Sequence, residues 1–312
     1  MPLHASVSQC GVKQKRKVIM RIDFGKVRKG SKCAVAIGYD VDVPGDLDYL
    51  YVKDLGWQGG CHGHLNEELI NYVKMVVRIA EDYDAKLQFF LQGNTLEDPA
   101  EHWIEIVERG HAIDQHTYSH ISLPHTPLER IESEVAKTER LIEDKLQTVN
   151  IGLRGPGGYK NGLQGRSDIQ KVLLKCGIEF VSTQDNLMST LLSDEKIIET
   201  IADTQPYYYD ETGLLEIPFC GYQDREFFDP DCGPPRKGTL KEWIQYLKRA
   251  VDFVYDHGLA YSLVVHPSTG FKHDPEGKSI REILSYCRQK QGILICTYRD
   301  LYQWFTKGDS NP

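Results

Sequence analysis

Residues 33–42 of the chain read CAVAIGYDVD, an unbroken run of apolar and small residues that ends in two aspartates. A short apolar run without polar alternation is typical of a strand buried on both faces, as in parallel sheets. The pattern therefore predicts a buried strand over Cys33–Tyr39 that leads into an acidic loop with Asp40 and Asp42. Two carboxylates this close together need a cation or a hydrogen-bond network.

Strand-like and helix-like segments alternate along the rest of the chain. Helical spacing of apolar residues marks Asn66–Glu81, Ala100–Arg109, Pro127–Leu146, Asp168–Cys176, Leu240–His257 and Ser279–Lys290. Further strands are predicted at Ala85–Leu91, Ala112–Gln115, Ile151–Arg154, Phe180–Ser182, Leu215–Pro218, Ser262–His266 and Ile293–Thr297. Repeated strand–helix units predict an α/β protein with a parallel sheet or barrel.

The composition excludes several classes of protein. With 40% hydrophobic residues and a net charge of −8 over 312 residues, the chain is neither disordered nor collagen-like. It contains no run of 18 apolar residues, so we expect no membrane-spanning helix and no membrane partner. Residues 1–32 are basic but the remainder is acidic, so we also expect no nucleic-acid partner.

The cysteines and the N-terminal residues bear on the cellular compartment. The eight cysteines form no CxxC pair, and no apolar signal-peptide core follows the basic stretch. We therefore expect a cytoplasmic protein with free thiols. A small-molecule or saccharide substrate is the expected partner, and we expect the protein to form a homo-oligomer.

Polar residues that could carry chemistry follow four of the predicted strands. They are Asp40 with Asp42, His116 with His120, the segment Arg154–Gly158, and His266. Catalytic groups of an α/β barrel lie where its strands end. If residues 116–120 form a helical turn, both imidazoles lie on one face, a spacing that suits one metal ion. An acid and two histidines with an open position are typical of a catalytic zinc site.

These segments resemble, in the same order, the motifs of the NodB-like polysaccharide deacetylases, carbohydrate esterase family 4. The matching segments are Tyr39–Asp42, His116–His120, Arg154–Gly158 and Leu263–Pro267. The resemblance covers residues 33–305 and implies the distorted (β/α) barrel of that family. Residues 1–32 are then a basic N-terminal arm, and residues 306–312 are a C-terminal tail.

The resemblance also implies a role for each motif residue. Asp40 corresponds to the catalytic base, Arg154 to the residue that orients the base, and His266 to the general acid. Asp42, His116 and His120 correspond to the ligands of a metal ion, with Zn²⁺ expected and another divalent transition metal also compatible. We expect contacts with the substrate from Gly157, Gly158, Tyr159 and Trp57.

The chain departs from the family pattern in two places. The fourth motif usually supplies an Asp–Trp pair that supports the general acid. Asp185, which no tryptophan follows, lies near the expected place and is named for this role, but Asp224 is a second candidate and the sequence does not decide between them. The first motif is Asp-x-Asp rather than Asp-Asp. This form resembles the intracellular branch of the family, which includes peptidoglycan-deacetylase-like proteins, cyclic-imide hydrolases and metal-independent allantoinase-like proteins.

The sequence therefore predicts a metal-dependent hydrolase of carbon–nitrogen bonds that deacetylates an N-acetylated sugar or a small N-acyl amine. Two alternatives stay open at this point. One is an amidohydrolase that opens a cyclic imide or ureide, and the other is a catalytically silent binding protein on the same fold. The presence of all six motif residues argues against the silent protein.

Overall fold

A computed structural model describes residues 21–45, 61–185, 192–229 and 237–308. Their strands are β1 (Cys33–Val41), β2 (Val43–Pro44), β3 (Cys61–His62), β4 (Gln88–Leu91), β5 (Ala112–Gln115), β6 (Gly152–Tyr159), β7 (Phe180–Gln184), β8 (Tyr207–Tyr208), β9 (Leu215–Glu216), β10 (Ala260–Val265) and β11 (Ile293–Cys296). Their α-helices are α1 (Phe24–Val27), α2 (Glu67–Asp82), α3 (Glu101–Glu108), α4 (Leu128–Leu146), α5 (Ser167–Lys175), α6 (Asp194–Glu199), α7 (Asp224–Phe228), α8 (Leu240–His257), α9 (Pro267–His273), α10 (Lys278–Gln289) and α11 (Tyr298–Gly308).

The sheet is built around β1. Residues Ala34–Tyr39 pair in parallel with β10, Cys33–Ala36 pair with β11, and Gly38–Val41 pair with β4. From β4 the sheet continues in parallel through β5, β6, β7 and β9, and β8 is antiparallel to β9. Beyond β9 the backbone approaches β10, where Cys220 N donates to Ser262 O at 3.1 Å. The fold is therefore a distorted (β/α) barrel, and the predicted fold class is confirmed.

Helix α8 shows how local sequence sets the layer outside the sheet. Thr239 and Glu242 form a capping box, in which each residue's backbone N–H donates to the other's side chain. The helix ends at Gly258, whose φ of +66° is a left-handed conformation that glycine adopts at little cost. Trp243 and Leu247 on its inner face are fully buried, and each such side chain contributes about 2 kcal/mol through burial.

The segments at the two borders of the predicted barrel, helices α1 and α11, share an apolar cluster with it. Within the predicted arm, Phe24 of α1 is buried in one apolar cluster with Leu301 and Phe305 of α11. Helix α11 continues to Gly308, beyond the predicted start of the tail. The six cysteines within the described ranges are all free thiols. Among the described residues, none of the helices combines the length and the hydropathy that a membrane span requires.

The strand directions position the site. β1, β4, β5, β6, β7, β9 and β10 run in parallel, so their carboxyl ends lie at one end of the barrel. Asp40 and Asp42 lie at the end of β1, Arg154 lies in β6, and His116 and His266 directly follow β5 and β10. The residues singled out in the sequence are therefore brought to the same end of the fold.

Candidate active site

Asp40 and Arg154 form a buried ion pair. All nine residues of β1 are buried, and the strand runs past its predicted end at Tyr39 to include Asp40. Arg154 Nε lies 3.7 Å from Asp40 Oδ1, and the Arg154 side chain is fully buried. Gly38 makes room for it, because a Cβ there would lie 3.1 Å from Arg154 Nη2.

The rest of the Arg154 environment is aromatic. The guanidinium carbon lies 4.3–4.9 Å from the ring centres of Phe90, Phe219 and Tyr298. Rings at this distance attract a cation through their electron-rich faces. Among the described residues, none of the three side-chain nitrogens of Arg154 has a hydrogen-bond partner. Asp40 is therefore the one carboxylate paired with this buried charge within the described part of the chain.

Asp42, His116 and His120 form a buried cluster of metal-ligating groups. One ligand atom from each lies within 4.8 Å of the others. Asp42 Oδ2 faces both imidazoles, at 3.6 Å from His116 Nε2 and 2.9 Å from His120 Nε2. His116 Nδ1 lies 2.8 Å from the carbonyl oxygen of Arg154, which can only accept, so His116 Nε2 keeps its lone pair for a ligand.

Residues 116–120 are a loop and do not form the helical turn that the spacing of the two histidines would suit. Thr117 and His120 have φ values of +57° and +58°, and these left-handed residues turn the chain tightly enough to bring the two rings within 4.9 Å. Backbone hydrogen bonds from Gly93 and Asn94 to this loop hold it against the end of β4. Glu134 also accepts hydrogen bonds from the backbone N–H and the hydroxyl of Ser119.

The donor set of this cluster fits a divalent transition metal. Two imidazole nitrogens and one carboxylate oxygen are the ligands that zinc accepts in catalytic sites. Burial acts to raise the pKa of Asp42, but the charge of Arg225 and the contacts with His116 and His120 outweigh it and hold the pKa well below its usual range. Asp42 is therefore a carboxylate at neutral pH, as a metal ligand must be.

Arg225 is a site residue that the sequence analysis missed. Its Nη1 donates to Asp42 Oδ2 at 3.2 Å, and its Nη2 donates to Asp42 Oδ1. It lies in α7, a helix of five residues that follows no strand directly and matches none of the motifs quoted above. The one sign of this role in the sequence is that the basic Arg225 stands next to the acidic Asp224.

Asp224 supports His266, so the assignment of this role to Asp185 is wrong. His266 Nδ1 lies 2.6 Å from Asp224 Oδ1, and His266 N donates to Asp224 Oδ2 at 2.7 Å. The chain after β9 folds toward β10 and places the start of α7 beside His266. Asp185, at the end of β7, accepts a hydrogen bond from Gln223 Nε2 at 3.1 Å instead.

The predicted substrate contacts have different outcomes. Gly157 is exposed, with a φ of +78°, and Gly158 is buried, with a φ of +60°. Tyr159 is buried in an apolar cluster, and its hydroxyl accepts a hydrogen bond from Leu123 N at 3.0 Å, which gives this side chain a structural role. Trp57 lies outside the described residues. Contact of Gly157 and Gly158 with a substrate stays a prediction.

Comparison with a family model gives an independent view of the site. The model for polysaccharide deacetylases matches residues 67–181. This range includes His116, His120 and Arg154, whereas Asp40, Asp42, Asp224 and His266 lie outside it. No curated protein matched the chain.

Solved structures share the fold over most of the chain. A protein described as a polysaccharide deacetylase from Mycobacterium smegmatis has a TM-score of 0.68 at 20% identity, covering 91% of this chain and 93% of its own. Two further structures each have a TM-score of 0.65 at 15% identity and cover 91% of this chain and 94% of their own. They are Puue allantoinase and a protein described as a polysaccharide deacetylase from Pseudomonas aeruginosa PAO1. The family model over residues 67–181 confirms the predicted resemblance to polysaccharide deacetylases, and the solved structures confirm the shared fold.

Proposed function

We propose that this chain is a metal-dependent hydrolase that removes the acyl group from an N-acetylated sugar or a small N-acyl amine. One observation carries the proposal: a buried Asp42–His116–His120 cluster lies beside Asp40 at one end of the barrel. Arg225 connects the Asp224–His266 pair to this cluster. Its backbone N–H donates to Asp224, and its side chain donates to Asp42. A ligand set, a base and an acid are the groups that amide hydrolysis requires.

Asp40 is suited to activate the attacking water. A divalent metal bound by Asp42, His116 and His120 would polarise the acyl carbonyl and make an adjacent water more acidic. Asp40 Oδ2 lies 4.0 Å from His116 Nε2, beside the position that the ligands surround, and can accept the proton of that water. The charge of Arg154 lies 3.7 Å from the other oxygen of Asp40 and favours the ionised form of the base.

His266 is suited to protonate the leaving nitrogen. An amine is a poor leaving group unless it receives a proton as the carbon–nitrogen bond breaks. Because His266 Nδ1 points at the Asp224 carboxylate, it is the donor in that contact, and the second ring nitrogen is available to carry the transferred proton. Asp224 also fixes the ring by accepting from the backbone N–H of His266.

The test is a metal and substrate panel on the purified protein. Chelator-treated protein is reconstituted with Zn²⁺, Co²⁺ or Mn²⁺, and acetate release is measured from N-acetylglucosamine oligomers and N-acetylated alkylamines. We expect release that depends on added metal. The matched control is Asp40→Asn, which we expect to bind metal but to turn over about 10²–10⁴-fold more slowly. Metal binding without turnover of any panel member would contradict the deacetylase assignment.

A second candidate function is the opening of a cyclic imide or ureide. It is favoured by the Asp40-x-Asp42 spacing and by the similarity to the structure of Puue allantoinase. The same base and acid would act, but the leaving nitrogen would stay attached to the acyl product. Including hydantoin and succinimide in the panel distinguishes this reaction, because ring opening yields a new carboxylate and releases no acetate.

A further inference from the structure

Arg225 places a permanent positive charge against the proposed metal ligands. Both of its terminal nitrogens donate to Asp42, one to each carboxylate oxygen. The side chain is 14% exposed, and its Nε has no hydrogen-bond partner among the described residues. Because a guanidinium does not lose its proton in proteins, this charge persists at every physiological pH.

The position of Arg225 is fixed at several points. Its backbone N–H donates to Asp224 Oδ1 at 2.8 Å, which anchors the start of α7 beside His266. Its Nη2 also lies 3.3 Å from the carbonyl oxygen of Asp42 and 3.3 Å from Ser268 Oγ. The guanidinium is therefore held against Asp42 by contacts from two elements and is not a surface side chain that happens to reach it.

A divalent ion and Arg225 must share the charge of one carboxylate. Asp42 is the one acid in the ligand set, so a metal held by Asp42, His116 and His120 gains a single negative charge. That charge is already paired with Arg225. A neutral imidazole adds no charge to compensate. The cation beside the site therefore repels an incoming ion and weakens the attraction that Asp42 supplies.

We propose that Arg225 lowers the affinity of this site for divalent metals, so that the ion is bound reversibly instead of permanently. The inference rests on the proposed metal site. With an effective dielectric constant of about 20, repulsion across one carboxylate is enough to weaken metal binding by about 10- to 100-fold. When no metal is bound, Arg225 neutralises Asp42, and the site has no uncompensated acid.

A role for Arg225 in orienting Asp42 predicts the opposite change in metal affinity. If Arg225 only orients Asp42 for the metal, as outer-shell hydrogen-bond partners of ligands do, its loss weakens metal binding by about 10- to 100-fold. The sign of the change in affinity therefore separates the two roles. A measurement of metal binding decides between them without any substrate.

The experiment compares Arg225→Gln with Arg225→Lys. The glutamine keeps a donor and removes the charge, while the lysine keeps the charge. Chelator-treated protein is titrated with Zn²⁺ against a chromophoric chelator, and with Co²⁺ by its visible absorption. We expect Arg225→Gln to bind each ion about 10- to 100-fold more tightly than the wild type, and Arg225→Lys to bind within about threefold of it.

Further variants keep the result interpretable. Arg225→Met removes the same charge and replaces Arg225→Gln should that variant fail to fold. Arg249→Gln removes an exposed arginine paired with Asp194 and should leave metal affinity unchanged. His120→Ala in the Arg225→Gln background should abolish the gain, which locates the ion. Unchanged or weaker binding by the neutral variants overturns the role of Arg225, whereas absence of metal binding in wild type and variants alike overturns the metal site itself.

Discussion

Replacing Asp40 with asparagine should destabilise the protein as well as inactivate it. The substitution keeps the shape of the side chain and removes the charge that faces Arg154 in the interior. Polar active-site residues often cost an enzyme stability, so their removal commonly stabilises the fold. The opposite is expected here, because Arg154 is fully buried and Asp40 is its one carboxylate partner among the described residues.

The separation of the two groups gives the magnitude. Opposite unit charges 3.7 Å apart attract by about 4 kcal/mol at an effective dielectric constant of about 20. Removing one partner of a buried ion pair typically costs about 3–5 kcal/mol, since the remaining charge is left uncompensated. The three aromatic rings around Arg154 offset part of that cost. We therefore expect Asp40→Asn to lower the free energy of unfolding by about 3 kcal/mol.

Urea denaturation followed by circular dichroism measures this change. A double-mutant cycle with Arg154→Met isolates the pair, and we expect the double variant to be more stable than the sum of the single changes implies. Asp168→Asn is the matched control, because Asp168 and Arg166 lie 3.0 Å apart at the surface and should contribute less than about 1 kcal/mol. An Asp40→Asn protein as stable as the wild type would refute the reasoning.

Three further predictions concern other parts of the molecule. His120→Ala removes one of three ligands and should abolish stoichiometric metal binding by elemental analysis; full occupancy would contradict the ligand set. Asp224→Asn should lower kcat/KM by about 10-fold or more, because His266 then lacks the carboxylate that orients its ring, whereas Asp185→Asn should leave kcat/KM within about threefold of the wild type. Burial, aided by a nearby lysine, lowers the pKa of His111 from 6.5 to about 4, so its contribution to stability is complete above pH 6.5 and is lost as the pH falls toward 4. Between pH 7 and 4 the wild type should therefore lose roughly 3 kcal/mol more unfolding free energy in urea than His111→Asn, and parallel losses would contradict this.

Local sequence was sufficient to predict a parallel α/β sheet or barrel and most of the site. The short apolar run of β1 is typical of a strand buried on both faces, and parallel strands bring their carboxyl ends together. Asp40, Asp42, His116, Arg154 and His266 lie at or near such ends, so their proximity follows from strand direction alone. The sequence pattern alone therefore predicts which side chains meet at the ends of neighbouring strands.

The remainder depends on how distant segments fold over the strand ends. Asp185 and Asp224 are both acids near a strand, and only the path of the chain after β9 decides which one reaches His266. Arg225 becomes a site residue through the same path. The spacing of His116 and His120 predicted that they lie together, but the sequence did not predict the conformation of residues 116–120. Thr117 and His120 adopt left-handed φ values, and no glycine marks either position.

The three buried aspartates of the site differ in their partners, and the partners distinguish their roles. Asp40 faces a guanidinium enclosed by rings, which can neither leave nor supply a proton, so its other oxygen stays available to accept one. Asp42 faces Arg225 and two imidazoles, which places this carboxylate between one fixed cation and two metal-ligating groups. Asp224 faces His266 and accepts from its ring, as the support of the proposed general acid.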